Sequence, residues 1–363
     1  MYKVIAANRG PSKPPKNWRI FEKENMEKHF GPVLDVNGED GHSVYDAFKE
    51  YKDTIEYIRW YPCPESCTEE EYNGMIKQNE YINNELGYLK VMPYLTNSVQ
   101  GFNAVQSKEV CFQEWKKHGV NCPDFFVYDT EEEFYEKLSV AEFDFPFLIR
   151  VNNSVGGKET HIIREQKEIK PALDDIMIHG KNEVGIKRRM MCVNFINTID
   201  RDVNVSYRIH VAGNKVISGY GRVVPKDNWL AITAGSFRPE QIDNWVYYNK
   251  LCEQLMRERE EEIVKAVHSL KLNHQGVDVV MDEDTKELCF LEVQPTYASG
   301  YPQVGWCGYH PPFYNPSDPN LVQFLQQNKS VLEKEIPMYY NNWLDKNNHF
   351  DLVYKELKEY VRS

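Results

Sequence analysis

The sequence lacks the features that mark several common classes of protein. No apolar run in its 363 residues is long enough to span a bilayer, and its first residues, MYKVIAANRG, lack the long apolar region of a signal peptide. Basic residues are outnumbered by acidic ones, 43 to 55, and the formal net charge of -12 argues against nucleic acid or an anionic membrane as the main partner. The eight cysteines are scattered without a compact framework, which favours reduced thiols in a cytoplasmic protein.

The chain also lacks the best-known catalytic and phosphate-binding patterns. We find no serine or cysteine arrangement that offers a protein nucleophile. A glycine-containing loop over residues 152–158 lies between two predicted strands, yet it matches neither the P-loop spacing nor the dinucleotide fingerprint. Backbone N–H groups in such a loop can wrap phosphate oxygens, and Arg150 at the end of the preceding strand can reach the same anion. A hairpin turn contains the same glycine pair, so the loop has two interpretations.

What the chain does contain favours a folded α/β protein of more than one domain. Apolar residues make up 41% and aromatic residues 13% of the sequence, which is ample for packed cores. Strands are predicted at 2–7 and 54–61, and residues 251–270 predict one long amphipathic helix. The last part of the chain predicts two helical pieces, 320–335 and 351–362, that contribute packing rather than chemistry.

The most informative stretch is a hairpin predicted for residues 277–293. Two apolar strands flank a charged turn, and each strand contains one carboxylate, Asp278 and Glu292. If the turn centres near Thr285, the two carboxylates lie opposite each other with Cβ atoms roughly 5 Å apart, where like charges repel. A cation is therefore expected between them. Oxygen ligands at this spacing suit Mg²⁺, with Gln294 on the same face as a third ligand. A solvent-facing hairpin edge is the alternative.

A second predicted hairpin, over residues 205–225, contains two arginines. Its turn lies at 212–215, with Arg208 on the first strand and Arg222 on the second. Either arginine alone could be a solvated side chain. Their presence on adjacent strands, close to a candidate phosphate loop, favours an anion site instead.

The order of these elements resembles the ATP-grasp superfamily over residues 105–310. Each feature is weak alone, and their order and spacing together make the resemblance specific. The features are a helix opened by Lys108 and followed by Gly119-x-x-x-Pro123, a strand, glycine loop and strand over 149–163, a linker strand Val193-Asn194-Phe195-Ile196, the strand around Arg208, its partner strand ending at Arg222, Gly276-Val277-Asp278, and Leu291-Glu292-Val293-Gln294-Pro295.

The resemblance implies an α/β fold of ATP-grasp architecture, in which two α/β subdomains grip ATP. A small N-terminal α/β subdomain and a helical C-terminal tail complete the chain. The implied divisions are 1–105 for the N-terminal subdomain, 106–192 for the central subdomain with the glycine-rich loop, 193–312 for the C-terminal ATP-grasp subdomain with the Mg²⁺ and ATP site, and 313–363 for the tail. The correspondence of the first hundred residues rests on position only.

The resemblance also implies roles for individual residues. Lys108 and Arg150 resemble the cations that hold the α- and β-phosphates, and Gly156 and Gly157 resemble the loop that closes over the triphosphate. The remaining implied roles are backbone hydrogen bonds to adenine from Asn194, Phe195 and Ile196, ribose contacts from Asp200 or Asp202, contacts to the transferring phosphoryl group and the substrate from Arg208 and Arg222, and Mg²⁺ ligation by Asp278, Glu292 and Gln294.

Three positions depart from the family's usual pattern. Arg150 stands where lysine is usual, and it can still bind phosphate bidentately. Asn194 stands where a glutamate commonly accepts from the adenine amino group, so the nucleotide preference is less certain, although an amide oxygen can accept as well. Gln294 replaces the usual asparagine metal ligand. It either offers the same amide oxygen on a longer side chain or weakens metal binding. None of the three removes the expected function.

The activity that the resemblance implies is a carboxylate–amine ligase, which uses ATP to form an acyl phosphate that an amine then attacks. The implied cofactors are ATP and Mg²⁺, with Mn²⁺ as an alternative metal. The implied partners are a small-molecule carboxylate and an amine, not nucleic acid or a membrane, and an oligomer is compatible. Residues 295–301 and 306–309 are expected to line the acceptor side. Two alternatives stay open: a phosphotransferase of the same fold acting on a small molecule, and a non-catalytic ATP-binding regulatory protein.

Overall fold

Three β-sheets flanked by helices make up the described part of the protein. The structure is a computed structural model. It describes residues 1–8, 18–37, 42–60, 73–74, 77, 80–82, 84, 94–95, 107–152, 159–178, 189–226, 242–294, 323 and 327–363. Within these ranges, no helix is both long and apolar enough to cross a membrane.

The N-terminal sheet is parallel, with its strands in the order β2-β1-β3-β4. Its elements are β1 (Val4–Asn8), α1 (Trp18–Phe30), β2 (Val33–Asn37), α2 (His42–Tyr51), β3 (Tyr57–Trp60) and β4 (Tyr94–Leu95). The strands predicted at 2–7 and 54–61 are confirmed as β1 and β3. The helix α1 and the strand β2 were not predicted, because the apolar residues of α1 are sparse and only a few, such as Met26 and Phe30, are buried.

The middle sheet is antiparallel, with its strands in the order β5-β8-β6-β7. Its elements are α3 (Lys108–Lys117), β5 (Phe125–Tyr128), α4 (Glu131–Ala141), β6 (Phe147–Val151), β7 (Thr160–Ile163), α5 (Ile169–Ile178) and β8 (Met190–Asn194). Side-chain caps set the start of two of these helices, as hydroxyl residues just before Lys108 and Glu131 predict from the sequence. The Ser107 hydroxyl accepts from the Val110 N–H at 3.3 Å, and the Thr130 hydroxyl accepts from the Glu133 N–H at 3.2 Å.

The large sheet is antiparallel and has two different faces. Its strands are β9 (Ile199–Asp200), β10 (Val203–Ala212), β11 (Lys215–Pro225), β12 (His274–Met281) and β13 (Leu288–Gln294), in the order β11-β10-β12-β13 with β9 on β10. Because side chains alternate along a strand, Tyr207, Ile209 and Val277 enter one apolar core together with Trp115 and Ile263 from the helices. The residues between them form the second, polar face, which carries Arg208, Arg222, Asp278 and Glu292 and packs in another part against the C-terminal helix.

The helical region before this last hairpin differs from its prediction. Instead of one helix over 251–270, the chain forms α6 (Ile242–Glu258) and α7 (Glu260–His268). The break lies at Arg259, whose backbone angles are not helical. The acidic side chains that follow it occupy the first turn of α7, where they stabilise the helix by interacting with the positive end of its dipole. The sequence has no proline or glycine at this point, so nothing there predicted the break.

The C-terminal segment connects the N-terminal sheet to the large sheet. It contains α8 (Lys329–Glu335), a π-helix (Met338–Leu344) and α9 (Lys346–Arg362). The last helix begins earlier than predicted because Asp345 caps it, accepting from the Asn348 N–H at 3.0 Å. Tyr354 and Leu357 of α9 share one apolar core with Val4 of β1 and Ile217 of β11. The tail therefore fixes two sheets relative to each other.

Candidate functional site

Charged side chains from all four long strands of the large sheet lie on its polar face. In the strand register Arg208 pairs with Asp278, and Asp278 pairs with Glu292, so the predicted opposition of the two carboxylates is confirmed. Arg222 lies two residues from Tyr220, which pairs with Arg208, and so it faces the same side. The sheet thus brings two arginines and two carboxylates together.

Asp278 is enclosed by the two arginines. The Arg208 guanidinium forms a bidentate pair with it, with Nε donating to Oδ1 and Nη2 to Oδ2 at 2.7 Å, and Arg222 Nη1 donates to Oδ2 at 3.4 Å. The side chains of Asp278 and Arg222 are only 4% and 2% exposed. The alternative that these arginines are solvated is therefore wrong. Burial alone would raise the pKa of Asp278, but the two guanidiniums outweigh it and hold the pKa below its ordinary value.

Glu292 pairs with a cation supplied by a helix. Lys108 Nζ, at the first residue of α3, lies 2.7 Å from Glu292 Oε2. Burial lowers the pKa of Lys108 and so does the nearby Arg150, while Glu292 opposes both effects. Burial likewise lowers the pKa of Arg150, against the attraction of Glu292. The two cations predicted to hold phosphates therefore lie beside each other, next to a metal-type carboxylate.

A residue without a predicted role fixes the position of Lys108. Asn152, buried at the end of β6, donates to the Ser107 hydroxyl at 2.8 Å and accepts from the Glu109 N–H at 2.9 Å. The start of α3 is thereby tied to the strand that contains Arg150. An asparagine directly after a strand is the only sequence signal for this role, and it is shared with many ordinary loops.

The predicted linker is fixed by the turn of the carboxylate hairpin. The strand part ends at Asn194, so the prediction of a strand through Phe195 and Ile196 is wrong. The Asn194 N–H donates to the Asp124 carbonyl at 2.8 Å. Further along, the Asn197 carbonyl accepts from the Glu283 N–H at 2.8 Å. These two bonds hold residues 194–197 in place of strand pairing, and they set these residues beside the turn between β12 and β13.

The two candidate ribose residues have different surroundings. Asp200 is partly buried and accepts from the Tyr248 hydroxyl at 2.7 Å, so it holds α6 beside β9. Asp202 lies in the following turn with its side chain 82% exposed, where it pairs with Lys226 at 2.7 Å. Of the two, Asp202 is the carboxylate that a ligand can reach.

Positive charge exceeds negative charge in the described part of this cluster. Lys108, Arg150, Arg208 and Arg222 lie close to Asp278 and Glu292, and Glu159 also attracts Arg150. Gathering four cations in a low-dielectric setting is costly, so such a cluster favours an anionic ligand. A polyphosphate with a bound divalent cation matches this arrangement, because its oxygens would meet the four cations and its metal ion would meet the carboxylates.

A family model described as the RimK-like ATP-grasp domain matches residues 105–299, more than half of the chain. The chain belongs to the RimK-like ATP-grasp family. The resemblance stated from the sequence is thereby confirmed, together with the mixed α/β fold of that family. No curated protein sequence matches the chain.

Solved structures of ATP-grasp proteins share the fold. The Staphylococcus aureus N5-carboxyaminoimidazole synthetase complexed with ADP aligns with a TM-score of 0.51 and 11% identity, over 81% of this chain and 70% of that one. D-cycloserine synthetase aligns with a TM-score of 0.50 and 13% identity, over 90% of this chain and 99% of that one. At these identities the likeness concerns the fold alone.

The donor atoms of the ATP-grasp site fit Mg²⁺. Asp278 and Glu292 present carboxylate oxygens from directly paired positions of adjacent strands, and hard oxygen ligands are those that Mg²⁺ prefers. The described residues contain no group of three or more His, Cys, Asp or Glu side chains suited to a metal.

Several predicted residues of the ATP-grasp site lie outside the described residues. These are Gly156 and Gly157 of the glycine loop, the side chain of Gln294 at the end of β13, and the stretches 295–301 and 306–309 that were expected to line the acceptor side. Their predicted roles stay predictions.

Proposed function

We propose that this protein is an ATP- and Mg²⁺-dependent ligase that joins a carboxylate to an amine through an acyl phosphate, releasing ADP and phosphate. The main support is the buried cluster on the polar face of the large sheet, in which four cations face two metal-type carboxylates. The carboxylate is phosphorylated by ATP, and the amine then displaces phosphate from the acyl carbon. Both steps need charge neutralisation and alignment rather than a protein nucleophile.

In this proposal each cation has a separate task. Lys108 and Arg150 hold the α- and β-phosphates, since both lie close to Glu292 of the large sheet. Arg208 and Arg222 face the transferring phosphoryl group and keep its charge neutralised as it moves. Asp278 and Glu292 hold Mg²⁺, which, when bound, neutralises phosphate oxygens. Arg208 and Lys108 exchange their carboxylate partners for phosphate oxygens when the nucleotide enters.

The remaining parts of the proposal concern the base, the loops and the domain limits. Asn194, Phe195 and Ile196 contact adenine through the backbone, and Gly156 and Gly157 close over the triphosphate. The division at 192/193 falls inside β8, whose last residues pair with β5 and β6, so we place the end of the central subdomain after Asn194. The partners are small molecules, and the proposed location is the cytoplasm.

We assign the ribose contact to Asp202, because its side chain is 82% exposed, whereas Asp200 is partly buried against Tyr248. Replacing Asp202 by asparagine should raise the KM for ATP about tenfold, the cost of one charged hydrogen bond. The KM for 2′,3′-dideoxy-ATP should stay unchanged, because that analogue lacks the hydroxyls. Steady-state kinetics with both nucleotides measures the difference. Equal losses with ATP and the dideoxy analogue would exclude a ribose contact. Asp200→Asn is the matched control and should lower the melting temperature without discriminating between the nucleotides.

The reaction is tested by measuring ADP and phosphate release with Mg²⁺-ATP across panels of carboxylates, alone and with amino acids. We expect release only with one acid–amine combination, with ADP, phosphate and the amide formed in equal amounts. Addition of hydroxylamine with the acid alone should trap the acyl phosphate as a hydroxamate. ADP formation with a phosphorylated product and no free phosphate would identify a phosphotransferase and contradict the proposal.

A further inference from the structure

A buried histidine lies next to the arginine pair on the same face of the large sheet. His210 is two residues beyond Arg208 on β10, so its side chain points to the same side. It pairs in register with Ser218 of β11 and Gly276 of β12, and its Nδ1 lies 2.9 Å from the Ser218 hydroxyl. The ring is 1% exposed. The proposed nucleotide and metal contacts assign it no part.

The C-terminal helix supplies a second histidine to the same place. His349 of α9 lies with Nδ1 3.4 Å from the Ser218 hydroxyl, and its ring meets that of His210 edge to face at 5.6 Å between centroids. One hydroxyl can donate to one ring and accept from the other, so Ser218 can fix the orientation of both. The helix itself is anchored to α1, where Asp351 binds His29 at 2.6 Å.

The side chains of His210 and Arg208 both lie over Gly276. A Cβ atom on Gly276 would lie 3.1 Å from Cδ of Arg208 and 3.3 Å from Cδ2 of His210, tighter than ordinary carbon contacts. The missing side chain therefore leaves a space that the arginine stem and the imidazole ring border from two sides. Removing ring atoms of His210 would enlarge that space beside the Arg208 stem.

We propose that His210 is a positioning residue for Arg208, and that Ser218 and His349 hold the His210 ring in place. The C-terminal helix thus contributes to the site that the sequence assigned to the middle of the chain. The expected effect on catalysis rests on the proposed role of Arg208 at the phosphoryl group. The expected effect on the position of Arg208 does not depend on that role. Charged groups in such sites must be held within about 0.5 Å of their productive positions.

The direct test is hydrogen exchange at the Arg208 Nε–H, measured by ¹⁵N NMR and assigned with Arg208→Lys. His210→Asn keeps a hydrogen-bonding atom near Ser218 but removes the ring atoms beside Arg208. We expect exchange to accelerate at least about tenfold in His210→Asn and also in Gly276→Ala, which crowds the same space. His268→Asn is the matched control: its ring binds the Gly213 carbonyl at 2.8 Å at the far end of the hairpin, and exchange should be unaffected.

Kinetics supply the second readout. In His210→Asn, kcat should fall about 10- to 100-fold while the KM for ATP stays within about twofold, because position rather than affinity is lost. A histidine that only contributes to folding would lower the melting temperature and leave kcat per folded molecule unchanged. Unchanged exchange at Arg208 would overturn the inference whatever the reaction. Accelerated exchange in a protein that turns over none of the substrates would support the positioning and refute the proposed function.

Discussion

Replacing Asp278 by asparagine is expected to abolish measurable turnover, with kcat at least about 10³-fold lower. The change removes one metal-type carboxylate and leaves the Arg208 and Arg222 guanidiniums buried beside a neutral amide. Breaking a buried ion pair on one side costs about 3–5 kcal/mol, so the melting temperature should also fall. Steady-state kinetics and thermal unfolding measure the two effects.

The control for Asp278 lies on the same hairpin. Glu287 is exposed just before β13, and Glu287→Gln should leave both activity and melting temperature unchanged. The dependence of stability on pH in the acid range provides an independent check. Because the folded-state pKa of Asp278 is lowered, its contribution to stability is present above the ordinary value of 3.8 and is lost as the pH falls through the lower folded value. Asp278→Asn should therefore lose less stability in that range than the wild type. Full activity in this variant would exclude Asp278 from the site.

Replacing Arg208 by methionine is the second change with a large expected effect. Methionine retains the apolar stem that packs over Gly276 but lacks the charge that we place at the transferring phosphoryl group. We expect kcat to fall about 10³-fold, as for other clamps on a phosphoryl group, with a smaller change in the affinity for ADP. Arg208→Lys should recover only part of the rate, because lysine lacks the planar fork that binds two oxygens. Kinetics and ADP titration separate the two parameters.

The matched control for Arg208 is Arg164→Met, which makes the same change at an exposed position after β7. Its activity should equal that of the wild type. A loss of nucleotide affinity with kcat unchanged in Arg208→Met would show that the arginine binds ground state and transition state alike. A rate near that of the wild type would contradict its place at the phosphoryl group.

The sequence was most informative where local signals determine the structure. Ser107 and Thr130 start their helices because hydroxyls at those positions satisfy the first free N–H groups. The opposition of Asp278 and Glu292 was predicted from a turn centred near Thr285, but the structure reaches it through a bulge. The pairs nearest the turn would set Asp278 opposite Leu291, and the register shift between Asp278 and Val279 brings Glu292 there instead. The two helix caps depend only on residues close together in the chain, so one sequence is enough to predict them.

Partners distant in sequence could not be predicted in the same way. The repulsion between two carboxylates predicted a cation, but not that Lys108 would reach Glu292 from the start of α3. Likewise, nothing local indicated that His349 would approach His210, since their contact depends on how α9 packs between two sheets. The break at Arg259 has the same origin, because packing of both helices on the large sheet overrides an uninterrupted helical pattern.

The most direct test of the account is calorimetric titration of ADP into the wild type and into an Asp278→Ala, Glu292→Ala double variant, each with and without Mg²⁺. We expect the wild type to bind ADP more tightly when Mg²⁺ is present, and the double variant to lose that gain while the Lys108 and Arg150 contacts retain weak binding. Binding in the double variant that Mg²⁺ still strengthens to the wild-type level would contradict the assignment of the metal site. A wild type that binds no nucleotide would contradict the account as a whole.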